Sequence, residues 1–180
     1  DMCMPLTALI QAAKNKEATA ARIGCLDELD RWVSTHGLRA GVMYLNSLVP
    51  YRCTALVRVY REVIYCTSAY DSQLELSGVD VPEVPLGASF SQYAIRDGSF
   101  YTDVGAHELT LRDEKLIGTV QSYMGVRMLK ADGSLYGTLS HFDFAWVRPP
   151  TEHLAFLEAA ALRLQKHVQP GGSADSAERG

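Results

Sequence analysis

The chain has 180 residues, of which 47% are hydrophobic and 21% are charged, which is enough for one domain with a sizeable core and too few for two. Its formal net charge is -4 and it has no long basic run, which argues against a surface that holds nucleic acid through phosphate contacts. No apolar stretch reaches the roughly 20 residues needed to cross a bilayer, and residues 1–5 lack the pattern of a signal peptide, so we expect a soluble, cytoplasmic protein.

The first 50 residues are predicted to be helical. Leu6, Ile10 and Ala13 share one helical face. Gly37 lies between two further runs of helical spacing and either breaks or bends them, and Pro50 ends the second run because proline disfavours the helical conformation in the residue before it. The apolar residues of these runs are Leu26, Leu29, Val33, Leu38, Val42, Leu45 and Val49.

After Pro50 the pattern changes to one that is typical of strands, rich in β-branched and aromatic residues. Arg61-Glu62 can form a tight turn between the first two strands, although it lacks the usual Gly or Asn. The predicted elements are strands over 51–60 and 63–70, a proline-bearing loop over 71–87, a short helix over 89–95, a strand over 99–104 and a polar, lid-like loop over 105–119.

Asp132-Gly133 is the strongest hairpin signal in the chain, and it joins strands predicted over 122–130 and 134–147. Pro149-Pro150 ends the second of these strands, and Thr151 can cap a final amphipathic helix that runs to residue 168. The tail over 169–180 has the composition of a disordered segment. This order of elements predicts an antiparallel sheet with long helices from both termini on one face.

The predicted hairpin carries a recognisable sequence. Residues 120–128 read VQSYMGVRM, and residues 132–143 read DGSLYGTLSHFD. They resemble the GAF-domain pattern, in which S-Y-L-G-V-P-L is followed after D-G by x-x-G-T-L-C-x-F-D. The short helix over 89–98, the strand over 100–103 and the closing helix also resemble their GAF counterparts, so that the likeness runs from about Tyr51 to His167.

The resemblance implies an α+β domain with a central antiparallel sheet of about six strands. Terminal helices pack on one face, and loops and short helices roof a pocket on the other. A single GAF-like domain would then cover residues 1–168, with N-terminal helices over 1–50, the sheet and pocket loops over 51–147 and the closing helix over 151–168.

GAF domains bind cyclic nucleotides, bilins, haem, amino-acid derivatives or nothing, and they usually regulate another domain. The resemblance therefore implies a non-enzymatic sensory domain of intracellular signal transduction that binds a small molecule and pairs into a homodimer through its terminal helices. It names no cofactor, and fold analogy alone chooses no ligand. Two alternatives stay open: a dimerisation or interaction module without a ligand, and an enzyme of the free methionine-sulfoxide reductase kind.

Alternation along the hairpin predicts which residues face the pocket. Counting outwards from a two-residue turn at Asp132-Gly133, opposed residues share a face. The polar and aromatic face holds the pairs Arg127–Thr138, Gly125–Ser140 and Tyr123–Phe142. The apolar face, which suits the terminal helices, holds Met124, Val126, Met128, Leu139 and His141. A turn one residue longer would exchange the two faces.

The polar face is the predicted ligand site. Arg127 is expected either to clamp an anionic ligand, because a guanidinium matches carboxylate or phosphate, or to form an ion pair at the rim. Phe90 and Tyr93, on the short helix, are expected to lie across the pocket or in the core. His141 is expected to be a hydrogen-bonded core residue, and His107, in the lid-like loop, is interpreted as a solvated side chain rather than a haem ligand or a pH sensor. The resemblance implies a structural role for Asp143.

The four cysteines form no CxxC pair and no metal-ligand spacing, so reduced thiols and no metal site are predicted. A reductase needs an accessible thiolate with a partner thiol nearby. Cys53 and Cys66 are predicted to lie in opposite registers of their hairpin, and Ser91 stands where relatives often carry a cysteine. The cysteine pattern therefore disfavours the reductase alternative. The remaining two cysteines are Cys3 and Cys25.

Overall fold

The computed structural model describes residues 23–74, 83–102 and 120–168. The predicted helix within residues 1–22, the whole of the lid-like loop with His107, and the tail lie outside the described residues. The elements of the described part are α1 (Leu26–His36), α2 (Leu38–Ser47), β1 (Cys53–Tyr60), β2 (Val63–Asp71), β3 (Val84–Pro85), α3 (Ser91–Asp97), β4 (Ser99–Thr102), β5 (Ser122–Leu129), β6 (Leu135–Asp143) and α4 (Leu154–Leu164).

The six strands form one antiparallel sheet in the order β3-β2-β1-β6-β5-β4, which confirms the predicted α+β architecture. The edge strand β3 lies in a segment that was predicted to be loop, so this part of the prediction was wrong. Its two residues pair with Val63 and Ile64 of β2. A proline fits there because an edge strand needs hydrogen-bond donors on only one side.

Gly37 separates α1 from α2 and resolves the alternative that the sequence left open. Its backbone has φ 89 and ψ 176, a conformation that side-chain-bearing residues rarely adopt. The glycine is therefore a break, and it lets the two helices turn against each other instead of forming one rod. Trp32 of α1 and Leu45 of α2 are both almost fully buried.

The terminal helices pack on one face of the sheet. Met124, Val126, Met128 and Leu139, the strand residues predicted to face them, join Leu29, Leu45 and Leu157 in one buried cluster. Thr151 does not cap the closing helix as predicted: it begins a 3-10 turn, Thr151–His153, and makes no side-chain cap. None of the described helices is long and apolar enough to span a bilayer.

The β5–β6 hairpin has the predicted register but a different turn. Lys130 and Ser134 close a three-residue loop, with the N–H of Lys130 donating to the carbonyl of Ser134 over 2.7 Å. Pairing then runs from Leu129–Leu135 to Met128–Gly137, so that Tyr136 is an extra, bulged residue. The longer turn and the bulge offset each other, which keeps Tyr123 opposite Phe142 and Arg127 opposite Thr138 as predicted.

Strand β6 ends at Asp143, four residues earlier than predicted. One carboxylate oxygen of Asp143 accepts the N–H of Ala145 over 2.9 Å, and the other accepts the N–H of Arg52 over 2.8 Å. The first contact turns the chain out of the sheet, because an aspartate that bonds the backbone two residues on forms a turn. These contacts give Asp143 a structural role.

Candidate functional site

The face opposite the terminal helices carries a row of small side chains that crosses four strands. Ala69 of β2 pairs with Ala55 of β1, Ala55 pairs with Ser140 of β6, and Ser140 pairs with Gly125 of β5. Opposed residues share a face of the sheet, so these four residues form one row of small side chains, in which Ala55 and Ser140 are 5% and 3% exposed. We call this row the small-residue trough.

Larger side chains form the two rows beside the trough. Cys53, Phe142 and Tyr123 lie in one row, and Val57, Thr138 and Arg127 lie in the other. All eight residues that we predicted from sequence for the ligand site lie in the trough, in these rows, on the short helix α3 or at the residue just before it. That they bind a ligand stays a prediction.

Tyr123 covers the Gly125 end of the trough. A Cβ atom placed on Gly125 would lie 2.3 Å from the Tyr123 hydroxyl oxygen and 2.6 Å from the adjoining ring carbon. The ring can therefore lie flat along its own strand only because residue 125 has no side chain. Tyr123 is 4% exposed.

Buried hydroxyls hold Tyr123 in place and join the short helix to the sheet. The Ser91 hydroxyl oxygen, at the start of α3, lies 3.2 Å from that of Tyr123 and 3.0 Å from that of Thr138. Burial raises the pKa of Tyr123, against the opposing effect of its hydrogen bonds with Ser91, Thr138 and Ser140. The phenol is therefore neutral, and this end of the site offers hydroxyl groups rather than charge.

An aromatic cluster fills the space between α3 and the β4–β5 half of the sheet. Phe90 is 3% exposed and lies 5.6 Å from Tyr123 between ring centroids. Tyr93 packs on Phe100 of β4 at 5.2 Å. Aromatic rings at such separations stabilise each other beyond the area they bury. Phe90 is therefore a core residue, and Tyr93, which is partly buried, lies at the margin of the same cluster.

Arg127 lies on the predicted face, but its side chain does not enter the trough. It is exposed, and its Nη1 donates to the carbonyl of Ile95 over 3.2 Å, while its backbone N–H donates to the carbonyl of Gly98 over 2.7 Å. Both acceptors lie at the end of α3, where carbonyls lack helical partners and a cation is favourable. Arg127 thus fastens the end of the short helix to β5.

The two strand cysteines do not lie in the opposite registers that were predicted from sequence. Cys53 pairs with Phe142, and Cys66 pairs with Val57, so both lie on the trough face and not in opposite registers. They lie in different rows, because Val57 is four residues from Cys53 along β1, or about 13 Å at roughly 3.3 Å per residue. A disulfide needs Cα atoms within about 7 Å.

Burial also suppresses the reactivity of both strand thiols. Burial raises the pKa of Cys53 to about 12, and it raises that of Cys66 as well. Cys25, before α1, is exposed, and Cys3 lies outside the described residues. Among the described residues no group of three or more His, Cys, Asp or Glu side chains could hold a metal ion.

Ser91, Ala55 and Ala69 contribute to this face and were not among the predicted site residues. From sequence, Ser91 was named only as a position at which relatives often carry a cysteine. The two alanines could have been found by extending the pairing count from β6 to β1 and β2. That count needs the order of strands in the sheet, which local sequence does not give.

No protein-family model and no curated protein sequence matches the chain. Several solved structures do match the chain. Free methionine-R-sulfoxide reductase from Neisseria meningitidis, solved in complex with its substrate, is 12% identical over 83% of this chain and 94% of its own, with a TM-score of 0.62. A protein from Burkholderia vietnamiensis assigned as a GAF sensor is 14% identical over 91% of this chain and 92% of its own, with a TM-score of 0.56.

The GAF domain of a phosphoenolpyruvate-protein phosphotransferase from Coxiella burnetii is 14% identical over 93% of this chain and 94% of its own, with a TM-score of 0.57. Identities this low establish the fold and leave the activity open, because one fold supports several functions. The sheet order, the helices on one face, the small-residue trough on the other and these matches agree: the chain is a domain of the GAF fold.

Proposed function

We propose that this domain is a sensory or regulatory module of intracellular signalling that binds a small molecule in the small-residue trough. The observation that carries the proposal is the row Ala69–Ala55–Ser140–Gly125, which lies between rows of larger side chains. Ligand sites are concave and mostly apolar with a few polar groups that fix orientation, and this row matches that description.

The trough suits a ligand without net negative charge. Among the described residues its floor carries one hydroxyl, on Ser140, and no cation. The guanidinium of Arg127 contacts the end of α3. Arg52 pairs with Asp71, with an N–O distance of 2.8 Å. We therefore replace the anionic ligand expected from sequence with a neutral or zwitterionic one.

A second candidate is a GAF-fold interaction module that binds no ligand. Its support is the packing of Tyr123 over Gly125 and the contact of Ser91 with Thr138, which close the β5 end of the trough with the protein's own side chains. The enzyme alternative has less support, since Cys53 is buried, Cys66 is partly buried, and the two lie in different rows.

We further propose that the domain is cytoplasmic and pairs into a homodimer through its terminal helices. Leu162 of α4 is 67% exposed. Nearby, Arg163 bridges α4 to Asp27 and Asp30 of α1. These contacts hold the two helices side by side as one surface, and light scattering of the purified protein measures its oligomeric state.

Thermal unfolding against a panel of neutral, zwitterionic and anionic metabolites tests the ligand. A compound at one hundred times its Kd adds about 2.7 kcal/mol of stability, which moves the midpoint by several degrees. Ala55→Leu fills the trough and is expected to abolish the shift. Ala155→Leu, the same change at an exposed position of α4, and Arg127→Ala are expected to keep it.

The outcomes separate the candidates. A shift that disappears in Arg127→Ala and persists in Ala55→Leu places the ligand at the rim and contradicts a neutral ligand in the trough. If no compound raises the unfolding midpoint of the wild type, the interaction module without a ligand becomes the better-supported candidate. Ala55→Val, a smaller change, replaces Ala55→Leu if the larger side chain prevents folding.

A further inference from the structure

A charged pair lies at the end of one of the rows that border the small-residue trough. Asp71 of β2 pairs with Cys53 of β1, and Cys53 pairs with Phe142 of β6, so Asp71 belongs to the trough face of the sheet. The carboxylate of Asp71 accepts two hydrogen bonds from Arg52, one from Nε over 2.8 Å and one from Nη2 over 2.8 Å. The guanidinium of Arg52 therefore lies at the rim of the proposed ligand site.

The thiol of Cys53 shows that both charges are close to the trough. Burial is the main cause of the raised pKa of Cys53, the charge of Asp71 raises that pKa further, and the charge of Arg52 lowers it. Cys53 lies two residues from Ala55 along β1, or about 7 Å at roughly 3.3 Å per residue. A small ligand that lies over Ala55 is therefore within reach of the guanidinium.

Three contacts hold Arg52 in one orientation. Asp71 binds one edge of the guanidinium, and the ring of Phe144 lies 5.1 Å from the central carbon Cζ, a distance at which cation and ring attract each other. The backbone N–H of Arg52 donates to the carboxylate of Asp143 over 2.8 Å. The side chain is 24% exposed. A ligand that binds a group held in this way loses little of its binding energy to ordering the protein.

The outer edge of the Arg52 guanidinium is open among the described residues. A guanidinium has five N–H donors, and Asp71 accepts one from Nε and one from Nη2. None of the described residues accepts a hydrogen bond from Nη1, so Nη1 and Nη2 present a second fork of donors. Such a fork matches the two oxygens of a carboxylate. The rim therefore offers an oriented site for a carboxylate.

The charge at this rim disfavours a simple anion. The hydrogen bond with Asp71 is the main cause of the raised pKa of Arg52, and the charges of Asp71 and Asp143 add to it. Two carboxylates thus surround one guanidinium, and the sum is negative. A ligand with a carboxylate alone would add negative charge to a largely buried site, which is costly. A ligand that also carries an ammonium group adds no net charge.

We propose that Arg52 binds the carboxylate of a small zwitterionic ligand, an α-amino acid with an apolar side chain. The carboxylate binds the Nη1–Nη2 edge, the apolar part lies over Ala55 and Ala69, and the ammonium group offsets the surplus negative charge of the rim. This inference rests on the ligand site proposed above and narrows its ligand to the zwitterionic class. It assigns recognition of the carboxylate to Arg52 instead of Arg127, the arginine expected from sequence.

Thermal unfolding of the wild type with three matched sets of probes tests the ligand class. The first set is L-valine, L-leucine and L-phenylalanine, the second is their amides, which lack the carboxylate, and the third is their N-acetyl derivatives, which lack the ammonium group. At least one free amino acid is expected to raise the unfolding midpoint, while its amide and its N-acetyl derivative leave the midpoint unchanged. This comparison does not depend on any variant folding.

Calorimetric titration of two variants with the amino acid that binds tests the residue. Arg52→Lys keeps a cation beside Asp71 but has no second fork of donors, and it is expected to weaken binding about 10- to 100-fold. Arg127→Lys, the same change at the exposed arginine of β5, is the matched control and is expected to keep the wild-type affinity.

The outcomes separate this inference from the proposed function. An equal shift by an amino acid and its amide, or an unchanged affinity in Arg52→Lys, overturns the role of Arg52. If Ala55→Leu still abolishes that shift, the trough remains the ligand site. The inference also fails, and the trough stands, if no free amino acid shifts the midpoint but another metabolite does so and loses its effect in Ala55→Leu. If no compound binds at all, both fail.

Discussion

The hydroxyl oxygens of Ser91 and Thr138 lie 3.0 Å apart and join the short helix α3 to the central strand β6. Both residues are buried, at 4% and 0% exposure. Ser91 also contacts the Tyr123 hydroxyl, so a single small side chain connects the helix to the residue that covers the trough.

We therefore expect Ser91→Ala and Thr138→Val each to lower the free energy of unfolding by about 1–2 kcal/mol, because each leaves buried hydroxyl groups with fewer partners. The double variant should lose less than the sum of the two, by about 1 kcal/mol, since the residues share one contact. Denaturant titration measures all three values, and strict additivity would contradict a direct Ser91–Thr138 interaction.

Two strand glycines should respond differently to the same substitution. A Cβ on Gly137 would lie 1.9 Å from the backbone carbonyl oxygen of Val57, whereas one on Gly125 meets the movable Tyr123 ring. We expect Gly125→Ala to cost about 1–3 kcal/mol of stability and Gly137→Ala to cost more, because the backbone of β1 cannot move aside without breaking the sheet. In a Tyr123→Ala background the cost of Gly125→Ala should largely vanish. A cost that persists there would show that Tyr123 is not what excludes a side chain at residue 125.

The β1–β2 turn should be a site for stabilisation. Arg61 and Glu62 have φ values of 48 and 61, in the left-handed region that Asn and Gly tolerate best. Arg61→Asn/Glu62→Gly is expected to raise the free energy of unfolding by about 1–2 kcal/mol. Gly133→Ala, at φ 85 in the other hairpin, is the opposite change and should be destabilising. A destabilised double variant at the first turn would contradict this reading of its backbone.

The contact between Arg52 and Asp71 should make stability depend on acidic pH. Burial acts to raise the pKa of Asp71, but the hydrogen bonds from Arg52 and Gln73 outweigh it, and the pKa lies below its ordinary value. The stabilisation that the ionised Asp71 provides is therefore fully present above the ordinary aspartate pKa, near pH 4. It is lost as the pH falls through the lower pKa that Asp71 has in the folded protein. We expect Asp71→Asn to cost about 2 kcal/mol at pH 7 and progressively less below pH 4. If the stability difference between the wild type and Asp71→Asn stays constant down to pH 2, the ionisation of Asp71 is not its source.

Thiol labelling at pH 7.5 should separate the cysteines of the described part. Cys25 is exposed and should react with iodoacetamide at the rate of a small-molecule thiol. Cys53 should be protected until the protein unfolds, because burial raises its pKa to about 12 and the thiolate is the reactive form. Mass spectrometry of labelled peptides measures both. Rapid labelling of Cys53 in the folded protein would revive the reductase alternative.

Much of the fold could be predicted because the relevant signals are local. Counting outwards from Asp132-Gly133 gave the correct faces of β5 and β6, although the turn is one residue longer than assumed, because the bulge at Tyr136 offsets the extra residue. A helical period with a glycine in the middle located α1 and α2. The pairs Gly125–Ser140 and Tyr123–Phe142 were correct as a consequence. The GAF pattern at this hairpin then implied an antiparallel sheet of about six strands with the terminal helices on one face, and the observed sheet agrees.

The site could be predicted only in part, because side-chain direction depends on contacts distant in sequence. Arg127 was placed on the correct strand and face, but the carbonyl that it binds belongs to Ile95, 32 residues away. Strand β3 has only two residues and exists through pairing with β2, so no periodicity could indicate it. Counting outwards from the Arg61-Glu62 turn places Cys66 opposite Val57, so the shared face of Cys53 and Cys66 could have been predicted, and the expected opposite registers were a miscount.

The bulge at Tyr136 marks a second place, besides the turn, where this hairpin can change length. Lys130 and Ser134 close the turn, so removing one residue between them leaves a two-residue loop and keeps Arg127 opposite Thr138. Removing Tyr136 leaves Met128 opposite Gly137, because the bulged residue has no partner on β5. Single-residue gaps in an alignment of homologues should therefore fall at the turn or at the bulge, whereas a single gap between Gly137 and Asp143 would exchange the two faces of β6 and should be absent.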